Sequence, residues 1–177
     1  MSHPSATPGP TQRRITLLRH AKAVPDERGD DHARPLASAG RDAALALGEW
    51  LKENDNLPEL VLCSTAVRAR ETLVALKAMV PTELHKRLYL ASASEMLAML
   101  QDGDDAVRHV MLVGHNPGMH GLAVLLAAQY VREADAEAII HGYPTCGWVS
   151  MSAEAAHWAD LRPHTAIVDA VRFQGMD

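Results

Sequence analysis

The chain has 177 residues, enough for one domain with a sizeable core. With 47% hydrophobic and 22% charged residues and a net charge of −5, it has no basic field for nucleic acid or an acidic membrane surface. Two cysteines, Cys63 and Cys146, exclude a disulfide framework and fit a reducing compartment, and no apolar stretch is long enough to span a bilayer.

In chain order, residues 1–12 are rich in Pro, Ser and Thr without an apolar core, which predicts a flexible leader rather than a secretory signal. Residues 14–19 predict a short buried strand ending in Arg19-His20. Residues 21–37, with Pro25, Gly29, Pro35 and many charges, predict a loop. Ser38 is a candidate N-cap for a helix over about 39–54. Residues 59–63 predict a second strand, and Ser64 or Thr65 opens a helix toward Met79. A third strand is expected near 84–88, a helix from Ser92 or Ser94 to Gln101, and a strongly apolar strand over 107–114. Asn116-Pro117-Gly118 then turns into a helix extending to about Tyr130, and 145–152 and 165–171 complete the set as strands. This alternation predicts an α/β three-layer sandwich: a mainly parallel central sheet of about six strands, flanked by helices, in a single domain over 13–177.

Three predicted strand ends carry chemistry, and in open α/β sheets ligands bind at the carboxyl ends of strands. Arg19 offers a planar fork of donors for phosphate, and His20 a nitrogen nucleophile usable near neutral pH. Cys63-Ser64-Thr65-Ala66-Val67-Arg68 runs from a strand into a helix N-terminus, where free N–H groups and the helix dipole favour an anion. Arg68 can fold back toward that anion, whereas Arg70 and Glu71 read as a solvated face. A cysteine-phosphatase loop requires an arginine where Ala69 stands, so Cys63 reads as a small buried hydrophobe. Gly114-His115-Asn116-Pro117-Gly118 places His115 at a third strand end, in a position equivalent to His20. His115 and His120 flank Pro117 and Gly118 without a carboxylate at ligand spacing, so no metal or other cofactor is expected. The remaining histidines (3, 32, 85, 109, 141, 157, 164) read as surface or structural.

Arg19-His20-Ala21, Ser64-Thr65-Ala66-x-Arg68-Ala69-x-Glu71-Thr72 and Gly114-His115-Asn116-Pro117-Gly118 together resemble the signature of the histidine phosphatase superfamily, the phosphoglycerate mutase-like fold. Arg19-His20-Ala21-Lys22, the short length and Arg34-Pro35-Leu36 followed by Gly40 look most like its SixA branch of phosphohistidine phosphatases. The resemblance implies that His20 becomes transiently phosphorylated. Arg19, Arg68 and His115 would bind the phosphoryl oxygens, His115 as a cation, and Ser64 and Lys22 would add substrate contacts. It departs from the wider family at Ala21, at Ala23, where a phosphate-pocket Ser, Thr or Asn often stands, and at Leu90, which occupies the place of the acidic proton donor. Asp31 is the foremost substitute acid, ahead of Asp26 and Glu95, and no inserted lid is expected between Leu90 and Ser94. An alkoxide leaving group gains about 10²–10⁴-fold from a general acid, whereas imidazole, with a pKa of about 6.5, needs less help. The expectation is therefore a cytoplasmic, metal-independent phosphatase acting on phosphohistidine in a protein. The alternatives are a phosphatase of small phosphomonoesters on the same fold, or a phosphate-binding regulatory module without catalysis.

Overall fold

The computed structural model describes residues 11–26 and 29–173. Its strands are β1 (Gln12–Arg19), β2 (Leu60–Ser64), β3 (Thr82–His85), β4 (His109–Gly114), β5 (Ala127–Tyr130), β6 (Trp148–Glu154) and β7 (Ala166–Arg172). Its α-helices are α1 (Ser38–Glu53), α2 (Val67–Leu76), α3 (Ala93–Gln101), α4 (Gly118–Leu126) and α5 (Glu133–His141), with single 3₁₀ turns at Asp31–Ala33, Lys86–Leu88 and Trp158–Asp160. The strands form one sheet in the order β3-β2-β4-β1-β6-β7-β5.

Side chains alternate across this sheet with the period of two that a strand imposes. Ile15, Leu17, Leu62, Val110 and Leu112 pack on one face with residues of α3, α4 and α5, such as Met96, Leu122 and Ile139. Leu18, Val61, Cys63, Met111 and Val113 pack on the other with Ala44, Leu47 and Leu51 of α1 and Ala69 and Leu76 of α2. Both faces of the central strands are therefore dry, which explains why they read as continuous apolar runs. The expected three-layer α/β sandwich is what this packing produces.

The sheet departs from the expected six mainly parallel strands: it has seven and is mixed. The pairs β3–β2, β2–β4, β4–β1 and β5–β7 are parallel, but β6 runs antiparallel to both β1 and β7. Only a short connection joins β6 to β7, too short for a crossover, and antiparallel pairing needs none. The helix expected to reach Tyr130 ends at Leu126. The next residues pair with β7 instead, because the open edge of a sheet supplies backbone partners that Ala and Leu propensity does not outweigh. The leader assigned to residues 1–12 lies outside the described residues up to residue 10; Gln12 already pairs with Glu154 in the sheet, and Ala155 N–H donates to the Thr11 carbonyl.

Local signals set the other boundaries. Ser92 and Glu95 form a reciprocal capping box at the start of α3. Lys77 closes α2 in the left-handed region at φ 50. Close approach demands glycine at Gly40 and Gly118, among others. A Cβ on Gly40 would lie 2.1 Å from the Lys22 carbonyl oxygen, and one on Gly118 would lie 1.9 Å from that of Ala91. The first lets α1 seat against the loop after His20; the second lets α4 begin against the chain that leads into α3. Among the described residues no helix is long and apolar enough to cross a membrane.

Candidate active site

Parallel register brings the chemistry together. Arg19 of β1 pairs with Gly114 of β4, so the next residues, His20 and His115, leave the sheet side by side with ring centroids 5.1 Å apart. Cys63 of β2 pairs with Val113, which places Ser64 at the same edge. From there α2 begins, with Arg68 in its first turn and its side chain almost wholly buried.

Arg68 is the hub. Its Nε donates to His20 Nε2 at 3.1 Å, and its Nη2 reaches His115 Nδ1 at 3.2 Å and Asp31 Oδ2 at 2.9 Å. Its Nη1 donates to the Asp31 carbonyl. The helix is tied to the loop after β1 by Thr72, whose Oγ1 accepts from Ala21 N–H at 2.9 Å and donates to the Arg68 carbonyl at 2.7 Å. Arg19 crosses to the other side, where Nη1 donates to the Tyr143 carbonyl at 2.7 Å, while its buried Nε has no partner. Arg34, whose Nη1 lies 3.3 Å from Asp31 Oδ1, also leaves a buried Nε unpartnered. Buried guanidinium donors without acceptors are costly, and an arriving oxyanion would satisfy them.

The hydrogen bonds settle the two tautomers. His20 Nδ1 lies 2.8 Å from the Ala21 carbonyl, which only accepts, so Nδ1 carries the proton and Nε2 presents its lone pair to Arg68. His115 Nδ1 accepts from Arg68, and its Nε2 donates to Ser64 Oγ at 2.8 Å. His20 is lowered to about 4, chiefly by burial, with Arg68, Arg19 and Arg34 adding repulsion against the Ala21 bond. His115 is lowered to about 3, first by burial, then by His20 and Arg68. The expected imidazolium at His115 is here a neutral imidazole: its Nδ1 accepts from Arg68, and burial beside that guanidinium disfavours a further positive charge. Cys63 is fully buried, with its thiol pushed up to about 12, which suits a packing residue and not a nucleophile.

A family model for the histidine phosphatase superfamily (branch 1) matches residues 15–91, which hold His20, Arg34 and Arg68. An uncharacterized protein of Mycobacterium tuberculosis is 39% identical over 151 residues, covering 84% of this chain and 94% of the relative. This chain belongs to the histidine phosphatase superfamily. Among solved structures it resembles a protein assigned as the phosphohistidine phosphatase SixA from Nakamurella multipartitia (30% identity, TM-score 0.80, 92% of this chain and 96% of that one). It also resembles a SixA assignment from Agrobacterium tumefaciens (27% identity, TM-score 0.74, 91% and 98%). An uncharacterized chloroplastic protein of Arabidopsis thaliana is 30% identical over 135 residues, spanning 68% of this chain and 62% of that relative.

Within this histidine phosphatase fold, Arg19, His20, Arg68 and His115 converge. The other residues singled out by sequence are distributed differently. Ser64 is fully buried behind His115, where its Oγ accepts from His115 and from Ala66 N–H. It orients the imidazole rather than reaching outward. Lys22 is exposed on the loop after His20, with its carbonyl accepting from Ala37 N–H. Glu95 accepts from Ser92 N–H and Oγ, which holds its carboxyl below the usual range, and it serves the cap of α3. Asp26 accepts from Gly29 N–H in a turn. Of the candidate acids, Asp31 alone is seen to join the Arg68 cluster. It does so ionised: the Tyr89 hydroxyl at 2.7 Å, then Arg68, hold its carboxyl below the usual range. Leu90, at φ 54 and half exposed, carries no acid to the site. Only residues 89–92 link the turn at Lys86–Leu88 to α3, so there is no inserted lid there.

Several neighbours were not legible in the sequence. Tyr89 stands edge-on to His115 (centroids 5.4 Å, 85°) and to His32 (4.8 Å, 72°), with the Arg68 guanidinium 5.9 Å from its ring. His32, read as surface or structural, bonds Thr65 Oγ1 at 3.0 Å. Glu71, read as solvated, accepts from Leu36 N–H at 2.7 Å and from Arg41, anchoring the loop to α2. A cavity of about 590 Å³ opens beside the cluster, lined by Val24, Pro25, Asp26, Asp30, Ala33, Arg34 and Pro35. The one prior signal was Arg34-Pro35-Leu36, in which Arg34 now stands as a third guanidinium near His20.

Proposed function

We propose that this chain is a phosphatase that accepts a phosphoryl group on His20 Nε2 and takes it from phosphohistidine in a protein. The observation that carries this is the His20 ring itself. Its Nδ1–H is fixed on the Ala21 carbonyl, and its basic Nε2 faces Arg68 with Arg19 and Arg34 close enough to repel a proton. Burial keeps the ring neutral, hence nucleophilic, at physiological pH.

In the first step the Nε2 lone pair attacks phosphorus and the bond to the leaving group breaks. The unpartnered Nε groups of Arg19 and Arg34, with Arg68, turn to the equatorial oxygens, whose charge they offset in a dry site. A phosphoryl dianion reverses the local repulsion at His115, which then takes up a proton from solvent on Nδ1, donates it as a hydrogen bond to a phosphoryl oxygen while Ser64 holds Nε2 in place, and returns it to solvent when phosphate leaves. In the second step water attacks phosphorus, the P–Nε2 bond breaks, and His20 returns neutral with its Nδ1–H still donating to the Ala21 carbonyl. One proton passes to solvent. Three guanidiniums supply the electrostatic role that a metal would otherwise fill, so activity should persist in excess chelator.

Phosphohistidine is favoured over an ester because, among the described residues, the candidate acids are not placed as neutral proton donors to an alkoxide: Glu95 caps α3, Asp31 is ionised, and Leu90 is apolar. The likeness to SixA assignments at 30% and 27% identity supports the same choice. The test is to trap the intermediate. Radiolabelled phosphohistidine in a carrier protein should leave acid-labile, alkali-stable label on His20, and His20→Ala should lose the label and on the order of 10⁴-fold or more in kcat/KM. Normal turnover by His20→Ala would sink the proposal, and faster turnover of sugar or nucleotide monophosphates than of phosphohistidine would move the substrate to small esters.

A further inference from the structure

The mechanism above leaves Asp31 without a task, although its carboxylate is the one acidic group seen to bond Arg68. Arg68 spans the site, with Nε on the His20 nitrogen and Nη2 on Asp31 Oδ2. Asp31 thus stands one guanidinium away from the attacking atom. Its Oδ2 is held by two donors, Arg68 and the Tyr89 hydroxyl, whereas among the described residues Oδ1 meets Arg34 at 3.3 Å, and the side chain remains 39% exposed. The arrangement is a fixed, partly exposed carboxylate with acceptor capacity, beside a cluster of guanidiniums and neutral imidazoles.

We infer that Asp31 accepts the hydrogen bond from the far ring nitrogen of the substrate's phosphohistidine, and so selects an imidazole leaving group. This deepens the phosphohistidine reading and rests on it. When the P–N bond breaks, its electron pair goes to the ring nitrogen. If the far nitrogen bears a proton, the ring departs as neutral imidazole and no further proton is needed. If it does not, the ring departs as imidazolate, a far poorer leaving group. A carboxylate bonded to the far N–H favours the protonated ring. The enzyme's own ring is managed in the same way: His20 Nδ1–H is held by the Ala21 carbonyl while Nε2 gains and later loses phosphorus. Transfer then runs between two imidazoles, each with its distal proton pinned by an acceptor, a carbonyl on one side and a carboxylate on the other. An ionised Asp31, useless as a proton donor to an alkoxide, is the form this task requires.

The test compares N-phosphoimidazole with p-nitrophenyl phosphate, whose leaving group needs no proton, on the full chain. Asp31→Asn should lower kcat/KM for N-phosphoimidazole by about 10- to 100-fold more than for p-nitrophenyl phosphate, the loss of one charge-assisted hydrogen bond. Asp31→Glu should restore part of that ratio. An equal loss on both substrates would assign Asp31 to holding Arg68 and overturn the inference, as would no loss on either. His20→Ala run beside them separates the failures. If it keeps turnover, the nucleophile reading falls whatever Asp31 does; if it is inactive and the substrate ratio is unmoved in Asp31→Asn, only the Asp31 inference falls.

Discussion

Arg13 and Arg19 sit at opposite ends of the same strand, and their surroundings differ completely. Arg13 is fully buried, and each of its five N–H groups has an acceptor. Nε donates to the Ala155 carbonyl, Nη1 to those of Asp105 and Val107, and Nη2 to Asp105 Oδ1 and the Ala156 carbonyl. Arg19 meets the Tyr143 carbonyl and leaves a buried Nε with no partner. The same contrast holds along β4. His109, at the amino end, is buried against Thr16 Oγ1 at 2.8 Å and the Leu57 backbone, whereas His115, just past the carboxyl end, lies against the Arg68 guanidinium and the His20 ring. Charge that is fully satisfied holds elements together. Charge left partly unsatisfied at a strand's carboxyl end is what an incoming anion completes.

The comparison is broken most sharply by exchanging the two arginines' apolar equivalents. Arg19→Met should cost about 10²–10³-fold in kcat/KM, yet its melting temperature should not fall. It removes a donor that had no acceptor, and Asn116 Nδ2 still satisfies the Tyr143 carbonyl at 2.8 Å. Arg13→Met should do the reverse. It strips donors from four backbone carbonyls and should lower unfolding free energy in urea by about 2–4 kcal/mol, while kcat/KM measured well below the transition stays at the wild-type level. Loss of stability in both variants would mean that the carboxyl end is built like the amino end.

A smaller effect comes from pH. His20, His109 and His115 are all buried and held neutral, at about 4, 3 and 3. In the unfolded chain they titrate near 6.5, so as pH falls below about 6.5 the unfolded state takes up protons that the folded state refuses. Stability should therefore be full above that value and fall from about pH 6.5 down to about 4 for His20 and about 3 for His109 and His115, by up to about 1.4 kcal/mol per pH unit for each ring. Inorganic phosphate should flatten the part due to His20 and His115 and leave the part due to His109. Urea midpoints at pH 7.5, 6 and 5, with and without phosphate, check this; a slope insensitive to phosphate would count against an anion among the guanidiniums.

What the sequence determined by itself is the set of strand-end motifs. Arg19-His20, Ser64 through Arg68, and Gly114-His115 are local signals, and the parallel register of β1, β2 and β4 needs nothing further to bring them to one edge. The helix start at Ser92 and the dry faces of the central strands were legible for the same reason, since short-range periodicity and hydrogen bonding dictate them; that Glu95 completes the cap there, and is no acid for the site, came from the structure. The tertiary structure decided what depends on distant neighbours. The strand β5, the helix α5 and the reversed β6 follow from which sheet edge lies open. Asp31, His32, Arg34 and Tyr89 reach the site from a loop without periodicity and from the turn after β3. The neutral state of His115 comes from burial and from neighbours on two other segments, His20 after β1 and Arg68 of α2. Residue type announces that an imidazole is present; only the surrounding dielectric and charge decide whether it carries a proton.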